Sequence, residues 1–545
     1  MHLSYIDITV VIVYAVFIFA LAQWVSREKA GHVKNSKDYF LASRNLPWWA
    51  IGASLIAANI SAEQIIGMSG SGYVIGLGIA SYEWMAAITL IIVGKYFLPI
   101  FLKNQIYTMP EFLQRRYGNG IQLVMAIFWL AVYVLVNLTA ILWLGSLAAH
   151  TVTGVPQVTC MIALGLFAGA YALYGGLKAV ALTDVVQVSM LVLGGLVIAY
   201  IALDKISGGA GVIDGFFILT RKLPEHFEMI LSPGNSNFKD LPGLSVLIGG
   251  MWVMNVSYWG FNQYIIQRAL AAKDIHEAQK GIVLAAFLKL LVPVLVVLPG
   301  IAAVILTPGL AKPDEAYPSL MTLLPSGLLG LVFAALLAAI VASMGSKINS
   351  IATIFTMDIY RKLARGASEK HLVVVGRVTA ATALVIALFA AKPLLGNFDQ
   401  AFQYIQEFTG FFTPGICVIF LLGLFWKRST QAGALVAAIG SVALSAWFKF
   451  LAQDNALLAS LGHALSIDDA GIAQFRDVYL APFMNRVGYV FVICLVLAVL
   501  VSLMQRQPKS STIDVANVDY STTFSFKVAS VAVIAILVAL YATWW

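Results

Sequence analysis

The chain is a succession of unbroken apolar runs of about 20 residues, and no other feature limits its fold so severely. Wound as a helix rising about 1.5 Å per residue, such a run matches the hydrocarbon core of a bilayer. About fourteen candidates follow one another: 5–25, 46–68, 73–102, 119–148, 157–175, 180–203, 243–267, 281–305, 327–357, 371–391, 400–425, 430–452, 480–504 and 524–545. In lipid each backbone amide needs a partner within a helix or a closed barrel, and barrel strands alternate in segments of ~10 residues. These runs are continuous, so an all-α polytopic membrane protein with about fourteen transmembrane helices is expected. Composition agrees, because only 11% of the 545 residues are charged against about 25% in a soluble domain. That is too little polar surface to clothe several water-soluble domains.

The net charge of +8 does not call for nucleic acid, since basic residues in short loops set membrane topology. The first run lacks a basic segment ahead of it and is followed by Arg27, Lys29, Lys34, Lys37 and Arg44. It therefore reads as a retained span rather than a signal peptide, with its N-terminus outside. Alternating from there, most of the 34 Lys and Arg fall on the cytoplasmic side, and both termini face outward. A multi-pass protein of the bacterial inner (plasma) membrane is expected. The external segments 204–242 and 453–479 have room for short surface helices but not for a separate domain. Cys160, Cys417 and Cys494 lie in apolar runs without metal-ligand spacing and read as packing residues.

A charge at mid-bilayer costs about 2.5–3.5 kcal/mol, while ~20 apolar residues at about −0.5 each supply ~10, so a span tolerates one such residue but needs a reason for it. In the second span the run Asn59-Ile60-Ser61-Ala62-Glu63-Gln64 interrupts the apolar sequence near its middle. In the seventh, Asn255-Val256-Ser257-Tyr258-Trp259-Gly260-Phe261-Asn262-Gln263 does the same at the same depth. Five spans separate the two interruptions. Matched interruptions in two halves point to a transporter of inverted five-helix repeats with its site at their interface. Glu83, Lys289, Gln403, Gln406 and Glu407 punctuate other spans near the same depth. A carboxylate, an ammonium and several carboxamides suit a neutral polyhydroxyl solute, whose hydroxyls both donate and accept. An anionic solute would call for a dominant Arg cluster, and the central spans are read as holding no Arg. Glu83 and Lys289 are equally read as a structural ion pair. Small residues and hydroxyls at 338–350 suit close helix packing and, as hard oxygen donors, a sodium shell.

With these residues in view, the chain resembles the bacterial sodium/sugar symporters of the sodium:solute symporter family, the sodium/galactose type in particular. The stretches that carry the resemblance are Ala57-Ala58-Asn59-Ile60-Ser61-Ala62-Glu63-Gln64, Tyr174-Gly175-Gly176-Leu177 with Thr183-Asp184, Tyr258 through Arg268, and Thr353-Ile354-Phe355-Thr356-Met357-Asp358-Ile359-Tyr360. The resemblance implies one transporter domain with a LeuT-like 5+5 inverted-repeat core in which core helices 1 and 6 are broken. The repeats would span 46–203 and 243–425, with 5–25 before them and three helices over 430–545 behind. It implies sugar binding by Gln64, Glu83, Asn255, Lys289 and Gln406 with Asn59 beside them. Tyr258 would be the inner gate, and Met68, Tyr82 and Phe402 the outer lid. Sodium would sit on backbone oxygens of Ala57, Ile60 and Ala339 and the Ser343 hydroxyl, with Asp184 drawing it along its exit path.

Three departures stand out. The family's adjacent serine pair is Ala342-Ser343 here, so one hydroxyl ligand is absent, and a sugar-contacting serine is Ala86. Lys347 lies four residues after Ser343 on the same helical face, where the family pattern is apolar. Its simplest reading is a lysine snorkelling into the cytoplasmic vestibule. The alternative is an ammonium that repels or replaces sodium, making a sugar transporter proton-coupled or uncoupled, or a sensor or channel. The expected activity is symport of sodium with a neutral monosaccharide. An enzyme is not expected, since no Walker A, HExxH or paired nucleophile is present.

Overall fold

Every apolar run becomes helix in the computed structural model, which describes residues 3–25, 46–106, 108–364, 366–396, 400–453, 456–505 and 513–545, and only the backbone of 22, 23, 25 and 171–183. The basic cluster Arg27 to Arg44 and the side chains of Tyr174 to Thr183 therefore lie outside the described residues. The membrane elements are α1 (Tyr5–Val25), α2 (Trp48–Asn59), α3 (Glu63–Val74), α4 (Leu77–Lys103), α5 (Asn119–Thr153), α6 (Gln157–Ile206), α7 (Gly250–Phe261), α8 (Gln263–Leu270), α9 (Ile275–Leu306), α10 (Leu328–Leu363), α11 (Glu369–Leu395), α12 (Ala401–Gly410), α13 (Thr413–Phe425), α14 (Gln431–Leu451), α15 (Phe483–Met504) and α16 (Phe524–Thr543).

Among the described residues nine helices are long and apolar enough to cross a membrane, and eleven if the bent pairs α2/α3 and α12/α13 each count as one span. The run expected at 243–267 is helical but interrupted at Gly249 and Asn262, and those expected at 5–25 and 157–175 are helical over their whole length. Helix α6 is hydrogen-bonded through 50 residues, where two spans were expected. Yet its residues Leu164 and Gln187 line one cavity with Phe333 and Val341 of α10. A straight helix would hold them about 34 Å apart, so α6 is bent between them. The segments 204–242 and 453–479, expected to be external, carry short helices among their described residues, including Val212–Lys222, Ala456–Ala464 and Asp469–Phe475. The three cysteines are buried and free.

Close helix contact in lipid depends on small residues. A Cβ at Gly52 of α2 would sit 2.8 Å from the Gly281 carbonyl of α9, and one at Gly300 of α9 would meet the Ser69 carbonyl of α3 at 2.2 Å. Helix α9 therefore lies along both halves of the broken second span. At the edge of the core, the fully buried Asp7 of α1 accepts the backbone N–H groups of Gly327 and Gly330 at 2.7 Å each. These are orphan amides at the start of α10, where a helix has unsatisfied donors and a positive dipole end.

Candidate functional site

The site is built on two interruptions. Helix α2 stops at Ile60, whose backbone is extended (φ −72°, ψ 93°), and α3 restarts at Glu63 with a bend of 60° between them. The polar run explains the break: the Ser61 hydroxyl accepts the Glu63 N–H at 3.1 Å, competing with the helical acceptor. Asn262 is extended between α7 and α8 (φ −85°, ψ 120°). Here the freed groups go to Tyr133 of α5, whose hydroxyl donates to the Asn262 side chain and accepts the Gln263 N–H at 3.0 Å. Both breaks fall inside the polar runs where they were expected.

Between the breaks lies a cavity of about 90 Å³, several times the room one water needs. Asn59, Gln64, Glu83, Asn255, Lys289 and Gln406 all line it, as do Tyr82, Tyr258, Phe402, Ala86 and Trp259. Lys289 is fully buried; its ammonium donates to Asn59 and to Glu83, and lies 4.9 Å above the Trp259 ring. The two readings of Glu83 and Lys289 thus coincide, since the ion pair forms within the cavity wall. The Asn59 amide donates to the Tyr258 hydroxyl at 2.9 Å, which also receives Tyr264 at 2.6 Å. Tyr258 is thereby pinned in the cavity wall. Tyr82 and Phe402 pack edge to face at 5.2 Å. Met68 is buried behind them and is not part of the cavity wall. Gln403 is buried outside the wall, and Glu407 instead pairs with Arg486 and Lys449, bracing α12 against α14 and α15.

Beside the first break, the Ser343 hydroxyl of α10 donates to the Ala57 carbonyl at 3.0 Å and reaches the Ile60 carbonyl at 3.4 Å. Three of the four oxygens expected to hold sodium therefore gather about the Ser343 hydroxyl, and Ala339 is buried one turn away on the same helix. This hard-oxygen set fits a small cation. Ala342 contributes no hydroxyl; its carbonyl accepts Ser346 at 2.8 Å.

Lys347 does not snorkel. It is fully buried, with its ammonium 3.5 Å from a Glu63 carboxylate oxygen and 4.7 Å over the Tyr264 ring. The polar end reaches inward to Glu63 because a buried carboxylate needs a counter-charge more than the ammonium needs the vestibule. Asp184 is also fully buried rather than interfacial: it accepts the Ser54 hydroxyl at 2.5 Å and faces Arg268 at 3.7 Å. Arg268 corrects the expectation of arginine-free central spans. It is fully buried, bonded to Ser54, the Tyr264 carbonyl and Ser346, but is not part of the cavity wall. The signal was present in Gln267-Arg268, one residue beyond the expected span end. For Tyr133 no signal existed, because a tyrosine in an apolar run reads as packing.

A sodium:solute symporter family model matches residues 39–440. The chain is 49% identical over its whole length to a sodium/glucose cotransporter of Vibrio parahaemolyticus, covering 99% of that protein. It is 33% identical to a mouse sodium/myo-inositol cotransporter 2 over 79% of this chain and 68% of the relative. Among solved structures, an outward-open, substrate-bound Na+-coupled sialic acid symporter aligns with a TM-score of 0.74 at 21% identity, covering 93% of this chain and 99% of that one. The nucleobase-cation-symport-1 transporter Mhp1 in a closed conformation aligns at 0.51 and 14% identity, over 88% and 98%. At these identities the structures speak for the fold, which is the LeuT fold.

Proposed function

The chain belongs to the sodium:solute symporter family and is a sodium-coupled solute symporter of the membrane; from that premise we propose that its solute is a neutral monosaccharide of the glucose or galactose kind. The observation that carries the proposal is the cavity wall: the Lys289 ammonium, the Glu83 and Glu63 carboxylates, and carboxamides that include Asn59, Gln64, Asn255 and Gln406. Sugar hydroxyls donate and accept, and this set offers both. Because Glu83 already balances Lys289 and Lys347 faces Glu63, a charged solute would find no counter-ion there. The sodium/glucose and sodium/myo-inositol relatives carry the names of neutral polyhydroxyl solutes, which supports the same choice.

In this mechanism sodium enters from outside onto the Ala57, Ile60 and Ala339 carbonyls and the Ser343 hydroxyl, drawing α2 and α10 together across the break. Gln64, immediately beyond the break, then faces the cavity in the pose that accepts sugar, with Asn59, Glu83, Asn255, Lys289 and Gln406. Met68, Tyr82 and Phe402 close the outer side. Rocking of segment 46–203 against 243–425 frees Tyr258 and opens the inner side, and Asp184 lies on the route by which sodium leaves. No covalent step is involved. With one sodium per sugar, a tenfold gradient contributes about 1.4 kcal/mol and 100 mV, inside negative, about 2.3. Together these permit accumulation near 500-fold.

Proteoliposomes given an inward sodium gradient are expected to concentrate radiolabelled glucose or galactose. Choline in place of sodium should abolish the uptake, and collapsing the proton gradient should leave it intact. Uptake that survives choline but fails without a proton gradient overturns the ion; saturable uptake of neither sugar overturns the solute.

A further inference from the structure

Lys347 is a fully buried charge that this mechanism leaves without a task. It stands on the same face of α10 as Ser343, one turn on, so its ammonium lies within about 10 Å of the sodium oxygens. Its carboxylate neighbour among the described residues is Glu63, and the contact between them is loose: it is made through one oxygen, Oε2, at 3.5 Å. Glu63 is the first residue of α3, and its other oxygen is 3.4 Å from the Ser61 hydroxyl, which donates to Gln64 at 3.0 Å. The groups around the ammonium are the Tyr264 ring, Glu63 and, bonded to the Tyr264 carbonyl and facing Asp184, Arg268. A pair so placed and so loosely held has more effect on its surroundings through charge than through shape.

We propose that Lys347 and Glu63 set the sodium affinity of this transporter, Lys347 as a resident cation that opposes the ion and Glu63 as the carboxylate that draws it. Neither is among the sodium oxygens; both act as positioning residues on the field at the break. Lys347 holds Glu63 neutralised and so keeps the sodium requirement high. The inference rests on sodium coupling and is independent of which sugar is carried.

The test measures sodium binding without sugar, by ²²Na association with purified protein in lipid nanodiscs, choline keeping the ionic strength constant. Lys347→Met is expected to lower the half-saturating sodium concentration about tenfold, and Glu63→Gln to raise it by about as much, the size of a one-charge change at about 10 Å and an effective dielectric near 20. Lys347→Arg keeps the charge and should stay within about twofold of the parent, the scale of an uncoupled substitution. The double variant Lys347→Met/Glu63→Gln should return close to the parent. If Lys347→Met fails to fold with Glu63 unpaired, the step from Glu63→Gln to the double variant removes the ammonium with no carboxylate left behind, and the same tenfold fall is expected there. Opposite signs are the signature of electrostatic control. Loss of affinity in both single variants, or no change in either, overturns it. Because no sugar is present, an error in the sugar assignment leaves this result untouched.

Discussion

Replacing Lys289 with methionine probes the centre of the cavity and should have two separable effects. The lysine is fully buried, and its ammonium already donates to Asn59 and Glu83. An ammonium has three donors, so one remains for the solute. Without it, Glu83 stays buried with no counter-charge, and breaking a buried pair from one side costs about 3–5 kcal/mol of stability. The solute loses a charge-assisted hydrogen bond worth about 1.5–3 kcal/mol, which raises KM roughly 10- to 150-fold. The double variant Lys289→Met/Glu83→Gln removes both charges and should recover most of the stability, while uptake stays as weak as in the single variant. Thermal inactivation in nanodiscs reads the first effect, and initial rates of sodium-driven sugar uptake read the second. If the single variant is as stable as the parent, Glu83 does not depend on Lys289. If the double variant regains sugar affinity, the lysine only holds the wall together and the solute does not touch it.

Three further outcomes are expected. Tyr258→Phe removes the hydroxyl that accepts Asn59 and Tyr264, leaving two donors unpaired at about 1–3 kcal/mol each; sodium-free efflux from preloaded vesicles should rise severalfold, and unchanged efflux would remove Tyr258 from the gate. Ala342→Ser places a hydroxyl beside Ser343, and one added contact of about 1 kcal/mol should lower the sodium requirement about fivefold; an unchanged sodium titration would mean the shell is already complete. Gly300→Ala would set a methyl 2.2 Å from the Ser69 carbonyl, overpacking that costs about 1–3 kcal/mol or more, so a clear loss of thermal stability is expected. Stability equal to the parent would show that α3 and α9 part easily.

The spans were legible because the bilayer imposes one length on every helix, and each apolar run duly became helical. The breaks were legible because Asn59 to Gln64 and Asn255 to Gln263 place side-chain hydrogen-bonding groups where the backbone otherwise serves itself. Side-chain depth, together with the family resemblance, located Lys289 and Glu83 at one cavity. What could not be read was partnership across the chain. Nothing local to Lys347 names Glu63, and without that partner the cheapest place for a lysine is the vestibule. Asp184 looked interfacial for the same reason, since its burial depends on Ser54 and Arg268 from two other elements. Arg268 was lost to a boundary error of one residue, which matters only where a helix ends inside the protein rather than in water.

The tie between Asp7 and the first turn of α10 bears on mechanics. Two amide bonds to a buried carboxylate, each worth about 1.5–3 kcal/mol, make α1 a passenger on α10. A helix that looks peripheral to the machinery is then part of the lever that carries Ser343 and Lys347. Any hinge between the moving and resting parts of the molecule must fall elsewhere than along their contact, and the exposed apolar side chains of α1, Val13, Val16 and Phe17 among them, drag the bilayer against that stroke.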